Sequence, residues 1–171
     1  MDLEDFVRDV ADFPSAGIIF KDITPLLADH HALSHAVQLM AQPFEHLAVT
    51  AVLGIEARGF LFGPAIAKQL QVGFVPIRKP GKLPPATVAV DYSLEYGSDR
   101  LEMRSEAVGT SDRVLLVDDV LATGGTLQAA AGLVEQSGAT IVGISVLIEL
   151  VALAGRKNLP DVAFTAPMKV H

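Results

Sequence analysis

The sequence predicts an α/β fold, a mostly parallel central sheet flanked by helices. Short apolar runs rich in β-branched residues alternate with helical patterns, and the runs are near-continuous rather than alternately apolar and polar. Strands of that kind are buried on both faces, which a parallel sheet achieves by laying its crossover helices over each face. Composition agrees: half of the residues are hydrophobic and only 19% are charged, so the chain can build a packed core rather than remain disordered. A length of 171 residues suits a single domain over 1–171.

Taken in order, Leu3, Phe6, Val7 and Val10 recur at helical spacing, and that helix must stop before Pro14, which pushes its predecessor out of the α region. An aperiodic segment runs from Phe13 to Pro25. The next helix carries Leu33, Val37, Met40 and Phe44 and frays near Pro43. A strand over Ala48–Leu53, a helix over Phe60–Leu70 and a strand over Phe74–Ile77 follow. The strand Val114–Val117, the helix Leu127–Ser137 and the strand Ile141–Ile148 complete the pattern. The stretch from Arg78 to Arg113 breaks the rhythm, and so long a connection is uncommon unless it is functional. Within it Val88, Val90, Tyr92, Leu94 and Tyr96 alternate with Thr87, Ala89, Asp91, Ser93 and Glu95, the two-residue period of a strand. Gly97-Ser98 can turn the chain, and Leu101 and Met103 continue the alternation. A β-hairpin arm follows, whose polar face carries Glu95 and is placed to meet substrate as a lid.

Charge and composition exclude several function classes. Thirteen Lys+Arg against 20 Asp+Glu give a net charge of −7, which disfavours a nucleic-acid face built on bulk positive charge. No cysteine is present, so disulfides, thiolate metal sites and a thiol nucleophile are excluded. Met1-Asp2-Leu3-Glu4-Asp5 is acidic where a secretory signal would be basic, and the apolar stretch Ile141–Ala154 is broken by Ser145 and Glu149 and is too short to span a bilayer. The expectation is a cytoplasmic protein without nucleic-acid or membrane partners.

The strongest chemical signal is Asp118-Asp119-Val120-Leu121-Ala122-Thr123-Gly124-Gly125-Thr126. A buried strand ends in two carboxylates and a small-residue loop then opens into a helix, at the strand ends where open α/β sheets bind ligands. Glycines let backbone N–H groups approach an anion, Thr123 and Thr126 add hydroxyls, and the helix start adds partial positive charge. This is a phosphate cradle, though neither a Walker loop nor a dinucleotide fingerprint. Gly-Gly alone would also read as a simple capped helix start. Adjacent carboxylates repel unless something cationic or hydroxyl-rich joins them, so sugar hydroxyls or hydrated Mg²⁺ are natural partners for Asp118 and Asp119. Arg78, Lys79 and Lys82 form a cationic cluster with no acid between Ile77 and Val90, which points to an anion. Gly54 and Gly59 bracket Glu56-Ala57-Arg58, leaving room for backbone to approach a ligand and for Arg58 to fork onto phosphate oxygens; a surface Arg–Glu pair is the alternative. Taken alone, Phe20 reads first as a core plug and Glu95 as a solvated strand residue. His31 and His35 have metal-ligand spacing but no third ligand, which favours a solvated helix face.

The Asp118–Thr126 segment resembles the 5-phosphoribosyl pyrophosphate (PRPP) signature of the type I phosphoribosyltransferases. Gly17–Pro25, Gly54–Phe60, Arg78–Pro84 and the arm Tyr92–Gly97 extend the likeness to the adenine-using members of that family. The resemblance implies an N-terminal hood over residues 1–30 that binds the base, and a flexible loop and hairpin arm over residues 78–105. It implies that Phe20 stacks on adenine while main-chain groups of Ile19 and Lys21 read the base edge. Asp118 and Asp119 would face the ribose hydroxyls, and Ala122, Thr123, Gly124, Gly125 and Thr126 would hold the 5′-phosphate. Arg58, Arg78, Lys79 and Lys82 would surround the pyrophosphate, some of them reaching across a homodimer interface. Glu95 is the implied acid/base and Tyr96 would pack over the site. Mg²⁺ would be bound through PRPP with Asp118 and Asp119 nearby and no certain protein ligand. The implied reaction, a pentosyl transfer from PRPP to N9 of adenine that yields AMP and pyrophosphate, belongs to purine salvage. A hypoxanthine, guanine or xanthine enzyme, or a PRPP-sensing regulator without activity, are the competing readings.

Overall fold

A computed structural model describes residues 1–93 and 98–171. A 3-10 turn over Leu3–Phe6 leads into β1 (Arg8–Ala11), which pairs antiparallel with β2 (Ile19–Asp22). The N-terminal helix expected from Leu3, Phe6, Val7 and Val10 therefore shrinks to one turn. Tertiary pairing overrides the local period here: Val10 lies opposite Phe20, Asp9 pairs with Lys21 at 2.6 Å, and the Asp12 carboxylate closes the turn by accepting from Gly17 N at 2.7 Å. The segment that looked aperiodic thus contains a strand. Helices α1 (Thr24–Ala28) and α2 (His30–Ala41) follow, the second capped by Asp29, whose carboxylate accepts from His31 N and Ala32 N. A 3-10 turn at Gln42–Phe44 ends it beside Pro43.

The core then alternates strand and helix: β3 (Ala51–Ile55), α3 (Gly63–Leu70), β4 (Gly73–Ile77), a hairpin of β5 (Thr87–Ser93) and β6 (Ser98–Arg104), β7 (Arg113–Leu121), α4 (Gly125–Ser137) and β8 (Thr140–Leu150). Two short strands, β9 (Ala163–Thr165) and β10 (Met168–Val170), close the chain. Among the described residues six strands form one sheet in the order β10-β8-β7-β3-β4, with β9 also on β8, and every pairing in it is parallel. The fold class expected from the sequence is the one observed.

Side chains leave the central strands alternately to two cores. Val52, Leu115, Val117 and Leu147 pack with α1, α2 and α3 on one face, while Leu53, Ile55, Leu116 and Val146 pack with α4 and the hairpin on the other. Val114–Val117 are all fully buried, which is why this stretch reads as one unbroken apolar run. The hairpin register runs from Thr87 opposite Arg104 to Ser93 opposite Ser98. Val88, Val90 and Tyr92 join the second core, and Leu101 and Met103 are wholly buried, so the alternation reports a real packed face. Glu95 and Tyr96 lie outside the described residues.

Candidate active site

The acid pair sits at the carboxyl end of the central sheet. β7 runs on past Val117 to Leu121, its pairing with β8 reaching Glu149, so Asp118 and Asp119 lie within the strand rather than beyond it. Both are buried, and the Asp118 carboxylate accepts from Asp119 N at 2.9 Å. Burial, joined by the Asp119 charge, pushes the Asp118 carboxyl well above its ordinary range. Burial also raises Asp119, and Arg58 opposes that shift. Arg58 Nε stands 2.8 Å from Asp119 Oδ2, yet its N–H is not aligned on that oxygen, which is buried and accepts no hydrogen bond among the described residues. Arg58 thus offsets part of the charge, but the oxygen still lacks the aligned hydrogen bond that would offset its desolvation.

From the acid pair the chain passes through Ala122 and Thr123 to Gly124, whose φ of +89° suits glycine, and α4 begins at Gly125 and Thr126. The first amides of a helix have no partner within it, so those of this turn are available to an anion. Asn158 Nδ2 donates to the carbonyl of Thr123 at 2.8 Å. The arm lies alongside, since a Cβ on Gly125 would be 3.8 Å from the Ser93 carbonyl oxygen.

Arg58 opens a 3-10 turn over Arg58–Leu61 directly after β3. Its guanidinium carbon lies 4.9 Å from the centroid of the Phe20 ring, which meets Phe13 edge-on at 5.1 Å. Arg58 thus bridges the acid pair and the N-terminal hairpin. Of the two bracketing glycines, Gly59 lets the turn press onto β7, where a Cβ would be 2.8 Å from Val117 O, whereas Gly54 makes room for the Phe74 ring in the core. Ile19 is exposed and Phe20 and Lys21 are half-buried.

The cationic cluster is balanced in space though not in sequence. Arg78 donates to both oxygens of Glu56, at 3.2 and 3.3 Å, and to the Lys82 carbonyl at 3.3 Å. Glu56 also accepts from Lys79 N at 2.9 Å; burial would raise its carboxyl, but the Lys79 amide and the Arg78 guanidinium outweigh that and hold it low. Lys79 Nζ pairs with Asp99 and donates to Tyr92 Oη at 3.0 Å, both on the hairpin. Lys82 is exposed and makes no ion pair among the described residues. Nothing in the sequence ties Glu56 or Asp99 to these cations; the link is an antiparallel bridge in which Arg78 and Glu102 exchange backbone hydrogen bonds of 2.9 and 2.8 Å.

One cleft of about 320 Å³ collects Glu56, Arg58, Lys79, Asp118, Asp119 and Thr126, from β3, the loop after β4, β7 and α4. A cavity of similar size behind the hairpin of β1 and β2, lined by Glu4, Lys21 and Met168, holds neither the acid pair nor the glycine loop. No cluster of three or more His, Cys, Asp or Glu able to cage a metal occurs among the described residues, so His31 and His35 are not part of one.

Comparison with known proteins agrees with this architecture. Residues 23–165 match the phosphoribosyl transferase domain family. The chain is 57% identical over 163 residues to a protein of Xanthomonas campestris pv. campestris named adenine phosphoribosyltransferase, covering 95% of this chain and 88% of that one. The crystal structure of adenine phosphoribosyltransferase from Thermoanaerobacter pseudethanolicus superposes with a TM-score of 0.95 at 46% identity, over 98% of each chain. The Saccharomyces cerevisiae enzyme of the same name, crystallised with adenine and D-2,5-dideoxy-2,5-imino-altritol 1,6-bisphosphate, gives 0.89 at 38% identity over 96% of each chain. A parallel sheet ending in a buried acid pair, a glycine loop at a helix start and a matched family region covering most of the sequence lead to one conclusion: the chain belongs to the phosphoribosyl transferase family.

Proposed function

We propose that the chain transfers the 5-phosphoribosyl group of PRPP to N9 of adenine, releasing pyrophosphate and AMP, the pentosyl transfer of purine salvage. The observation that carries this is the pair of buried carboxylates, one oxygen unpartnered, set between an aromatic–arginine contact and a loop of free helix-start amides. Each part suits one portion of the two substrates.

Asp118 and Asp119 accept from the ribose hydroxyls, which supply the donors the buried carboxylates lack. Ala122, Thr123, Gly124, Gly125 and Thr126 take the 5′-phosphate through backbone amides and hydroxyls. Phe20 stacks on adenine, and the main chain of Ile19 and Lys21, on a strand paired along one edge only, reads the base. Selection of a 6-amino over a 6-oxo purine then follows from hydrogen-bond polarity. Arg58, Arg78, Lys79 and Lys82 serve the pyrophosphate, Lys79 by leaving Asp99. As the C1′–O bond breaks the sugar gains oxocarbenium character, which the carboxylates beneath it stabilise. N9 forms the new bond to C1′ and gives up its proton on the side where Glu95 acts as acid/base, with Tyr96 over the site.

Mg²⁺ is the cofactor of this reading. The orphaned Asp119 oxygen and the lack of a protein-only cage among the described residues fit an ion carried in by the pyrophosphate with Asp118 and Asp119 nearby, as Mg²⁺ favours substrate phosphates and few carboxylates. When bound it offsets the negative charge that grows on the leaving group. Residues 1–30 act as a hood and 78–105 as a loop and lid arm on one catalytic domain, in a cytoplasmic homodimer. Among the described residues no helix is long and apolar enough to cross a membrane.

The test is product formation from PRPP with adenine, hypoxanthine, guanine and xanthine in turn, with and without Mg²⁺, resolved by chromatography. AMP from adenine alone, dependent on Mg²⁺, is the expected result. Turnover of an oxopurine would overturn the Phe20 pocket, and absence of turnover with any base would overturn the enzyme reading.

A further inference from the structure

Behind the glycine loop lies the 3-10 turn Gly155–Asn158, which none of the motifs in the sequence marks. Gly155 meets the loop backbone to backbone. A Cβ there would overlap the Ala122 carbonyl oxygen and stand 2.8 Å from Thr123 C and 2.9 Å from Gly124 N. In return, a Cβ on Gly124 would stand 2.7 Å from the Gly155 carbonyl oxygen. Three residues further on, Asn158 donates to the Thr123 carbonyl at 2.8 Å. That carbonyl shares a peptide plane with the Gly124 N–H, and in a trans peptide the two point in opposite directions. Holding the carbonyl toward Asn158 therefore aims the Gly124 amide away from it. The turn is itself anchored, because Arg156 donates to the carbonyls of Pro160 and Val162, each at 3.0 Å, and stacks 4.8 Å from the Phe164 ring on β9.

We propose that Gly155 and Asn158 are positioning residues that set the phosphate loop before substrate arrives. A chain of small residues such as Ala122–Gly125 has much conformational freedom, and ordering it at the moment of binding would cost affinity. A backbone floor at Gly155 and a pinned carbonyl at Thr123 remove that freedom in advance, so the 5′-phosphate meets amides already aimed. Both residues act through the loop. The inference rests on the reading of Ala122–Thr126 as the site of the 5′-phosphate.

The test uses calorimetric affinities for two separate probes, ribose 5-phosphate and pyrophosphate with Mg²⁺, on Asn158→Ala, Gly155→Ala and the loop variant Thr126→Ala. Asn158→Ala, at an exposed position that folding tolerates, should weaken ribose 5-phosphate about three- to tenfold, the size of one neutral hydrogen bond. Gly155→Ala should weaken it by more than about tenfold, and neither variant should move pyrophosphate by more than about twofold. If Gly155→Ala does not fold, Asn158→Ala decides alone. Asn158→Gln, which keeps the donor, should recover part of the loss. Unchanged ribose 5-phosphate affinity in folded Asn158→Ala, with Thr126→Ala impaired, would overturn the positioning role and leave the phosphate site standing. Equal losses for both probes would also overturn it, since a general structural defect has no preference between them. Full affinity in Thr126→Ala would overturn the reading of the loop itself.

Discussion

Asp119 keeps a buried carboxylate oxygen that accepts no hydrogen bond among the described residues although Arg58 stands 2.8 Å away, whereas Lys79, in the same cleft, and Arg78 beside it are each hydrogen-bonded to an acid. The first region is built in advance and carries a desolvation cost in the free protein, which on the proposed reading substrate relieves. The second is internally neutral, and on the proposed reading its cations exchange carboxylates for pyrophosphate oxygens. The backbone contrasts as well. The acid pair and glycine loop join the central sheet to α4, while Lys79 is held by Asp99 and Tyr92 on the hairpin, so moving the arm and freeing Lys79 are linked. Binding energy gained in the first region can then be spent on rearranging the second.

The largest effect that bears on this contrast is expected in the arm. Glu95→Gln should fold and bind PRPP while losing about 10²–10⁴ in kcat, the usual worth of general acid–base help. A full-rate variant would remove the arm from the chemistry. Next, Asp119→Asn should weaken PRPP by about 10–100-fold, as loss of a charge-assisted hydrogen bond does. Asp118→Asn should do likewise and yet raise the stability of the free protein by about 1–2 kcal/mol, since a desolvated charge is removed while the oxygen facing Asp119 N is kept. For a chain of this length that corresponds to about 2–8 °C in Tm by calorimetry, and a lowered Tm would show that the pair is not strained.

A smaller effect separates the regions by sign. The Asp118 carboxyl lies above its ordinary value of 3.8 in the folded state, so its stabilising contribution is complete below that pH and is lost as pH rises through the raised value. Glu56 lies below its ordinary value of 4.5, so its contribution is present above that pH and is lost as pH falls through the lowered value. Melts between acid and neutral pH should show the Tm gap between Asp118→Asn and the parent widening with pH. The deficit of Glu56→Gln should instead vanish in acid. Parallel curves would deny the contrast. Smallest of all, Asp99→Asn releases Lys79 and should lower the KM for PRPP about two- to threefold, since half-exposed ion pairs are worth little. A raised KM would mean that Asp99 aims Lys79 rather than competing with its ligand.

Legibility in the sequence followed the range of the interactions. Val114–Val117, Val52–Leu53 and Ile144–Val146 advertise double burial through composition alone, and Val88, Val90, Tyr92, Leu101 and Met103 advertise a hairpin through their period. Asp118–Thr126 was readable because acid pair, loop and helix start are contiguous. The N-terminal helix misled because Leu3, Phe6, Val7 and Val10 satisfy a helical period, while the pairing of β1 with β2 decides the segment. The sequence points to Arg58 as a cation for phosphate oxygens but not as the bridge from Asp119 to Phe20, residues far apart in the chain. Glu56 was legible only as a possible partner of Arg58, not of Arg78, and Asp99, Gly155 and Asn158 gave no signal, because each acts on a partner from another element.

By itself the sequence determined what depends on neighbours along the chain: the α/β class, the buried parallel strands, the arm and the chemical character of the Asp118–Thr126 loop. Periodicity and turn chemistry are local, so they survive without coordinates. Only the tertiary structure decided which buried carboxylate oxygen lacks a hydrogen bond, which cations are paired with acids and what packs behind the glycine loop. Those outcomes depend on distance, burial and donor alignment between segments remote in sequence, where alignment alone separates a hydrogen-bonded ion pair from a charge contact.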